Sequence, residues 1–134
     1  MKTYRQGDVL IIKLPDDVQV KRERAKRVPT DPDRGVVLAY GEVTGHAHAL
    51  DPSVCTLFMA EPSVLTGETV NEMIGKLGGG RFQQGLPETD RFLEVKKPTA
   101  LRHEEHAPVD LPEGVYVIRR QREYDPEFER MVAD

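Results

Sequence analysis

The sequence predicts one domain that is mainly β, a small barrel or sandwich with one inserted helix and a C-terminal helix. Short apolar stretches rich in β-branched residues recur along the chain, as is typical of strands. Ten prolines and eleven glycines separate these stretches. Two segments instead show the three- and four-residue apolar spacing of helices. A length of 134 residues suits a single hydrophobic core, so 1–134 is predicted to be one domain.

The first predicted strand has the clearest pattern. The segment from Asp8 to Leu14, DVLIIKL, is mostly apolar, follows Gly7 and precedes Pro15. Such a run indicates a buried strand. Residues 36–50 are either one continuous strand or two strands joined by a bend at a glycine. The further predicted strands are 36–43, 45–50, 54–60, 91–97, 99–103 and 115–123.

Two helices are predicted to interrupt this β pattern, over 66–77 and over 125–133. Thr66 is placed to cap the first, and Gly78 is placed to end it. Asp125 caps the second and Pro126 occupies its first turn. The apolar faces that support these helices consist of Val70, Met73, Ile74 and Leu77 in the first and Phe128, Met131 and Val132 in the second.

The composition of the chain argues against several classes of protein, such as nucleic-acid-binding, disulfide-bonded and membrane proteins. Nineteen basic residues against 23 acidic ones leave a net charge of −4, which argues against a nucleic-acid-binding surface. Cys55 is the only cysteine, so neither an intrachain disulfide nor a thiolate-rich zinc site can form. The N-terminal apolar stretch is too short and too polar for a signal peptide or membrane span. We therefore expect a soluble cytoplasmic protein with no membrane association.

The four histidines of the chain fall in two short clusters. His46 and His48 lie in the sequence GHAHAL, and His103 and His106 lie in LRHEEHAPV. Two glutamates separate the second pair. Imidazole and carboxylate groups are the ligands that divalent transition metals prefer. The clustering predicts a site for Zn, Fe, Mn or Ni, with His46, His48, His103 and His106 as the candidate ligands.

The alternation of side chains along a strand indicates which groups share a face. His46 and His48 lie on the same side of an extended chain, and Tyr40 joins them if 36–50 is one strand or two strands joined by a bend at Gly41 or Gly45. Tyr40 is therefore a candidate substrate-binding residue. Arg120, in the arginine-rich last strand, is a second candidate.

The same alternation separates the members of the second cluster. His103 shares a face with the apolar Leu101, so we expect it to point inward as a ligand. His106 then lies behind the site or at the surface, unless a bend before Pro108 reverses the choice. Glu105, or alternatively Glu104, is the candidate carboxylate ligand or general base.

A His-x-His pair that closely follows a glycine, with another histidine about fifty-five residues later, resembles the pattern of the cupins. The resemblance implies a small β-barrel that holds a divalent metal with three histidines and a glutamate. It also implies an oxygenase, an isomerase or a sugar-acid enzyme as the class of activity. Pro52 or Ser53 stands where cupins have the glutamate, so the carboxylate role passes to Glu104 or Glu105.

The leading functional hypothesis is a metal-dependent enzyme with a three-histidine site, acting on a small molecule that the sequence does not specify. One alternative is a non-catalytic β module that binds a second copy or another protein through an edge strand after Gly114 and its arginine-rich face. A further alternative is metal-free acid and base catalysis by histidines on a phosphodiester, with Arg119, Arg120 or Arg122 holding the phosphate.

Overall fold

The computed structural model describes residues 2–41, 45–61, 64–67 and 90–120. These residues are mainly β, which confirms the predicted class. One short 3-10 turn, Arg22–Arg24, accompanies the strands. The strands are β1 (Thr3–Gln6), β2 (Val9–Lys13), β3 (Gln19–Val20), β4 (Lys26–Arg27), β5 (Val36–Tyr40), β6 (Ala47–Leu50), β7 (Cys55–Ala60), β8 (Leu65–Thr66), β9 (Asp90–Val95), β10 (Thr99–Leu101), β11 (Val109–Leu111) and β12 (Gly114–Arg120).

Six of these strands form an antiparallel sheet in the order β1, β2, β12, β9, β7, β4. The last of the described strands, β12, lies inside this sheet, with Ile118 paired to Ile11 on one side and to Arg91 on the other. The expectation that the strand after Gly114 is a free edge is therefore wrong. Its apolar centre explains the difference, because a strand buried on both faces is stabilised between two neighbours.

A second layer of strands covers one face of the sheet. Strands β5 and β6 pair antiparallel, as do β10 and β11. An isolated bridge joins the two pairs, since Ala49 and Arg102 each donate a backbone hydrogen bond of 2.9 Å to the other. This layer packs on the sheet through buried side chains that include Leu38, Leu50 and Leu101.

Both faces of the central sheet are buried. Along β2, Val9 and Ile11 contribute to the core beneath the second layer. The alternate residues Leu10 and Ile12 contribute to the opposite core, which the β3 and β8 pair covers with residues such as Val20. This arrangement explains why DVLIIKL is a continuous apolar run instead of an alternating one.

Some finer predictions differ from the structure. The described strands form no closed ring of hydrogen bonds, so they do not make a barrel. Thr66 lies in β8, pairs with Gln19 and donates its hydroxyl to the Gln19 carbonyl oxygen at 3.4 Å, and Gly67 has a φ of +137°, so neither residue is helical. Residues 68–77 and the predicted helix over 125–133 lie outside the described residues. Within the described ranges, no helix has the length and apolar character needed to cross a membrane.

The stretch 36–50 is two antiparallel strands, not one continuous strand. The chain reverses between Tyr40 and Ala47, and Gly41 donates a hydrogen bond of 2.6 Å to the His46 carbonyl oxygen there. Because of this reversal, the alternation of side chains along 36–50 cannot be used to place Tyr40 on the same face as His46 and His48. Strands β1, β4, β8 and β11 were not predicted, because β1 is largely polar, β11 lies between two prolines, and β4 and β8 have only two residues each.

Candidate functional site

The antiparallel register between β6 and β10 brings the two histidine clusters together. Ala49 is bridged to Arg102, so one step further along the same register His48 lies opposite His103. Cross-strand neighbours project to the same side, and the centroids of these two imidazole rings are 4.4 Å apart. Continuing the register sets Glu104 beside Ala47 and Glu105 beside His46, which matches the contacts of both glutamates.

All four imidazoles belong to one cluster with His103 at its centre. The His103 ring centroid lies 4.6 Å from that of His106 and 5.7 Å from that of His46. The rings of His48 and His106 are nearly parallel, with centroids 6.0 Å apart. His106 thus lies close to the other histidines, although it is exposed while His48 is buried.

His106 enters the cluster because the chain turns sharply after β10. The His103 Nδ1 atom accepts hydrogen bonds from the backbone N–H groups of Glu105 at 3.0 Å and His106 at 3.3 Å. The bend that could reverse the choice between His103 and His106 instead brings both rings close to His48. Because Nδ1 accepts, the neutral His103 ring carries its proton on Nε2.

Gln6 determines the protonation pattern of His48. The Gln6 amide nitrogen donates to the carbonyl oxygens of Leu101 and Ala107, both at 2.9 Å. Its oxygen therefore faces His48 Nδ1, at 2.8 Å, and can only accept. His48 consequently carries its proton on Nδ1, and its Nε2 keeps a free lone pair.

Burial favours the uncharged form of His48. Desolvation lowers the pKa of its imidazole, and repulsion from His103 and His106 acts in the same direction. The carboxylate of Asp8 opposes these effects without overcoming them. At neutral pH, His48 is therefore a neutral base.

Asp8 lies beside the free nitrogen of His48. Its Oδ1 is 3.6 Å from His48 Nε2, and its Oδ2 accepts a hydrogen bond of 3.0 Å from Arg120 Nε. Partial burial alone would raise the pKa of Asp8, but the hydrogen bond and positive charge of Arg120 outweigh it and lower the pKa. Arg120 also donates to the Tyr40 carbonyl oxygen at 2.9 Å. Arg120 thus orients Asp8 at this site. This role does not depend on the predicted role of Arg120 in substrate binding.

Gly7 allows the chain to pass close to the imidazoles. It lies with Asp8 in the two-residue turn between β1 and β2, and its φ is +58°. This is the position that a type II′ turn reserves for glycine. A Cβ atom here would lie 2.8 Å from His106 Nε2 and 3.3 Å from His48 Cε1. The absent side chain therefore leaves room for two rings.

The two glutamates border the cluster on its exposed side. The Glu104 carboxylate accepts a hydrogen bond of 3.0 Å from the Ala47 N–H, and this bond lowers the pKa of Glu104. Glu105 Oε1 lies 3.5 Å from His46 Nδ1. His46, His103 and Glu104 can each present one ligand atom such that the three atoms lie within 4.8 Å of one another. These three are suitably spaced to hold one ion.

A cavity of about 310 Å³ adjoins this group. Tyr40 does not line it, but the exposed Tyr40 ring lies against Arg34, with the guanidinium carbon 6.0 Å from the ring centroid. The cavity is lined by Asp33, Arg34, Ala47, Ala49, Arg102, His103 and Glu104.

Sequence reasoning missed Gln6, Gly7 and Asp8 as members of the site. Glycine followed by aspartate ahead of an apolar run is a signal for a hairpin turn, but the residue types alone do not show what the turn approaches. Cys55 has no comparable role, because burial raises the pKa of its thiol to about 12. Such a thiol is not a nucleophile near neutral pH.

Comparison with known proteins identifies the family without adding an activity. No curated protein and no solved structure matches the chain. One family model, described as a domain of unknown function (DUF8820), matches residues 5–121. The matched range contains Gln6, Gly7, Asp8 and all four histidines. The chain belongs to the DUF8820 family.

Proposed function

We propose that this protein is a divalent-metal-dependent enzyme whose centre is the histidine cluster. The observation that carries the proposal is the convergence of all four histidines, from segments far apart in sequence, beside two carboxylates. Clusters of neutral imidazole and carboxylate are the usual way in which proteins bind Zn, Fe, Mn or Ni. The proposal rests on this cluster and needs neither a cupin barrel nor the predicted helices.

His46, His103 and Glu104 are the proposed metal ligands. Two imidazoles and one carboxylate form a donor set that leaves coordination positions for a substrate or water. Glu104 suits this role because the Ala47 N–H favours its ionised form. When bound, the ion would supply Lewis-acid polarisation of a substrate carbonyl or phosphoryl oxygen.

His103 has to change its hydrogen bonding to serve as a ligand through Nε2. A neutral imidazole that coordinates through Nε2 carries its proton on Nδ1, whereas His103 Nδ1 accepts two backbone N–H groups. The turn from His103 to His106 is exposed and can open at small cost, because water can replace its hydrogen bonds. We therefore include an opening of this turn in the proposal.

His48 and Asp8 are the proposed proton-transfer pair. Gln6 leaves His48 Nε2 with a free lone pair, and Asp8 Oδ1 is a second acceptor 3.6 Å away. Two acceptors that face each other are arranged to share a proton or a water molecule that carries one. Arg120 keeps Asp8 ionised, so His48 is the better candidate for the general base.

The proposal is tested by metal binding to tag-free protein that has first been treated with chelator and dialysed. Elemental analysis and calorimetry with Zn²⁺, Mn²⁺, Ni²⁺ and Fe²⁺ should detect one ion per chain. Glu104→Gln should weaken binding strongly, whereas its neighbour Glu105→Gln should have little effect and serves as the matched control. His46→Ala/His103→Ala should abolish binding. If none of the four metals binds to the unmodified protein, the proposal is wrong.

Metal-free acid and base catalysis is a second candidate because the tautomers of two neighbouring rings are complementary. His48 Nε2 can accept a proton, and His103 Nε2–H can donate one, with ring centroids 4.4 Å apart. Hydrolysis of bis(p-nitrophenyl) phosphate provides a test. Activity that survives chelator and Glu104→Gln but is lost in His48→Ala favours this candidate over the metal enzyme.

Self-association or binding to another protein is the remaining proposal. Because β12 is interior, an interface formed by strand addition to the described six-stranded sheet would use an outer strand, either β1 or β4. Strand β4 consists of the exposed residues Lys26 and Arg27, and charged edges of this kind oppose strand addition. Light scattering at several protein concentrations measures the solution mass, and an obligate oligomer unaffected by chelator would favour this proposal.

A further inference from the structure

The cavity beside the histidine cluster has guanidinium groups on its wall. Arg34 and Arg102 both line it, together with the candidate metal ligands His103 and Glu104. A volume of about 310 Å³ is at the lower end of the range for small-molecule sites. A bound compound of modest size would therefore lie within reach of the proposed metal and of two positive charges.

Arg102 is the cavity cation that is not held in an ion pair by the described residues. Its backbone is fixed by two hydrogen bonds to Ala49, but its side chain is exposed. The described residues place no carboxylate within ion-pair distance of its guanidinium, although the charge of the Asp51 carboxylate is close enough to interact with it. A planar guanidinium presents paired donors that match the oxygens of a phosphate or carboxylate. Arg102 can therefore bind such a group without breaking an ion pair.

Arg34 is held in place on the same cavity wall. It donates to Asp31 Oδ2 at 3.4 Å and to the Gly45 carbonyl oxygen at 3.1 Å. Tyr40 supports this arrangement, because its hydroxyl donates to Asp31 at 2.9 Å while its ring lies against the guanidinium. Arg34 is thus a positioned donor whose charge Asp31 partly offsets.

The charges on the cavity wall connect anion binding to metal binding. Among the residues that line the cavity, the charges of Arg34 and Arg102 are equal and opposite to those of Asp33 and Glu104. A divalent ion at the proposed centre would make the cavity positive. By thermodynamic linkage, an anion favoured by the ion must strengthen the binding of the ion by the same factor.

We propose that this cavity binds the phosphate or carboxylate group of a small-molecule substrate through Arg102 and Arg34, and that anion and metal strengthen each other's binding. The coupling rests on the proposed metal-dependent function. The role of the two arginines does not, since it follows from the cavity itself. Tyr40 contributes indirectly by supporting Arg34.

The test uses methylphosphonate as a soluble, non-hydrolysable anion and its uncharged dimethyl ester as the control ligand. Binding to the full chain is followed by NMR, with and without one equivalent of Zn²⁺. We expect methylphosphonate to bind the zinc-loaded protein about tenfold more tightly than the zinc-free protein, and the ester to bind neither. Arg102→Gln should weaken methylphosphonate binding about tenfold. Arg27→Gln, an exposed cation on β4, should leave it unchanged.

The outcomes separate this inference from the proposed function. Unchanged anion affinity in Arg102→Gln, or equal binding of the ester, overturns the inference even if zinc binds normally. If none of Zn²⁺, Mn²⁺, Ni²⁺ and Fe²⁺ binds, the metal proposal fails, and the titration of metal-free protein still decides whether Arg102 holds the anion. The amide NMR spectrum of ligand-free Arg102→Gln should match that of the unmodified chain away from residue 102, which confirms that the substitution leaves the fold intact.

Discussion

Gln6 and His48 share a buried hydrogen bond of 2.8 Å, although 42 positions separate them in the sequence. Gln6 is 2% exposed and His48 is 5% exposed, so water does not replace this contact. The other hydrogen bonds of the Gln6 amide leave it one orientation, and that orientation selects the tautomer of His48. A residue of the first strand thus controls the chemistry of an imidazole in the second layer.

Replacing Gln6 with leucine should therefore destabilise the fold and alter His48. The substitution leaves the Leu101 carbonyl oxygen and the His48 Nδ1–H without their buried partner, and we expect a loss of about 3 kcal/mol in the free energy of unfolding. Urea denaturation measures this loss. Gln19→Leu, on an exposed position of β3, is the control and should change stability by less than about 0.5 kcal/mol. Nitrogen-15 NMR should show His48 protonated at Nδ1 in the unmodified protein only.

Gly7 and Gly45 provide a matched pair of substitutions. Both have positive φ, +58° and +72°, so alanine at either position should cost about 1 kcal/mol of stability. A Cβ at Gly45 meets nothing within 4 Å, whereas at Gly7 it meets His106. Gly7→Ala alone should therefore shift the ring resonances of His106 and His48. Equal effects on those resonances from both variants would contradict the close approach.

Metal binding should open the turn that follows β10. If His103 coordinates through Nε2, the backbone N–H groups of Glu105 and His106 lose their acceptor. Their amide resonances should move strongly as zinc is added. The Ser53 amide, whose acceptor is the Asp51 side chain and which does not line the cavity, is a turn N–H of the same type that should move little. Saturation with zinc while the two turn amides stay unchanged would exclude coordination through His103 Nε2.

Adjacent residues of β9 should be equally important to stability. Phe92 and Leu93 are 1% and 0% exposed and belong to the cores on opposite faces of the sheet. Phe92→Ala and Leu93→Ala should each lower the free energy of unfolding by about 3–4 kcal/mol. Met59→Ala, at a position 42% exposed, should lower it by less than about 1 kcal/mol. A mild effect of either core substitution would show that one face of the sheet is open to water.

The Cys55 thiol should resist modification in the folded protein. The sulfur is buried, and burial raises its pKa to about 12, so almost no thiolate exists at pH 8. Reaction with a chromogenic disulfide reagent at pH 8 should be complete in denaturant and very slow without it. Rapid reaction of the native protein would contradict the packing of β7 against its neighbours.

Local signals in the sequence predicted much of the strand content. Apolar, β-branched runs bounded by proline or glycine marked the segments that became β2, β7, β9 and β12. These signals could not reveal that 36–50 forms two strands paired with each other. The alternation of residues along each strand is the same whether or not the chain reverses between them. The short strands β3, β4 and β8 carry too few residues for any periodicity.

The sequence by itself determined that this protein is mainly β and that its histidines occur in two clusters with glutamates between one pair. Only the tertiary structure decided which groups meet. The bridge between Ala49 and Arg102 sets the register that places His48 opposite His103, and a sharp turn adds His106. The hairpin of β1 and β2 then supplies Gln6, Gly7 and Asp8. Pairing between strands distant in sequence depends on the whole packed core, so no local pattern encodes it.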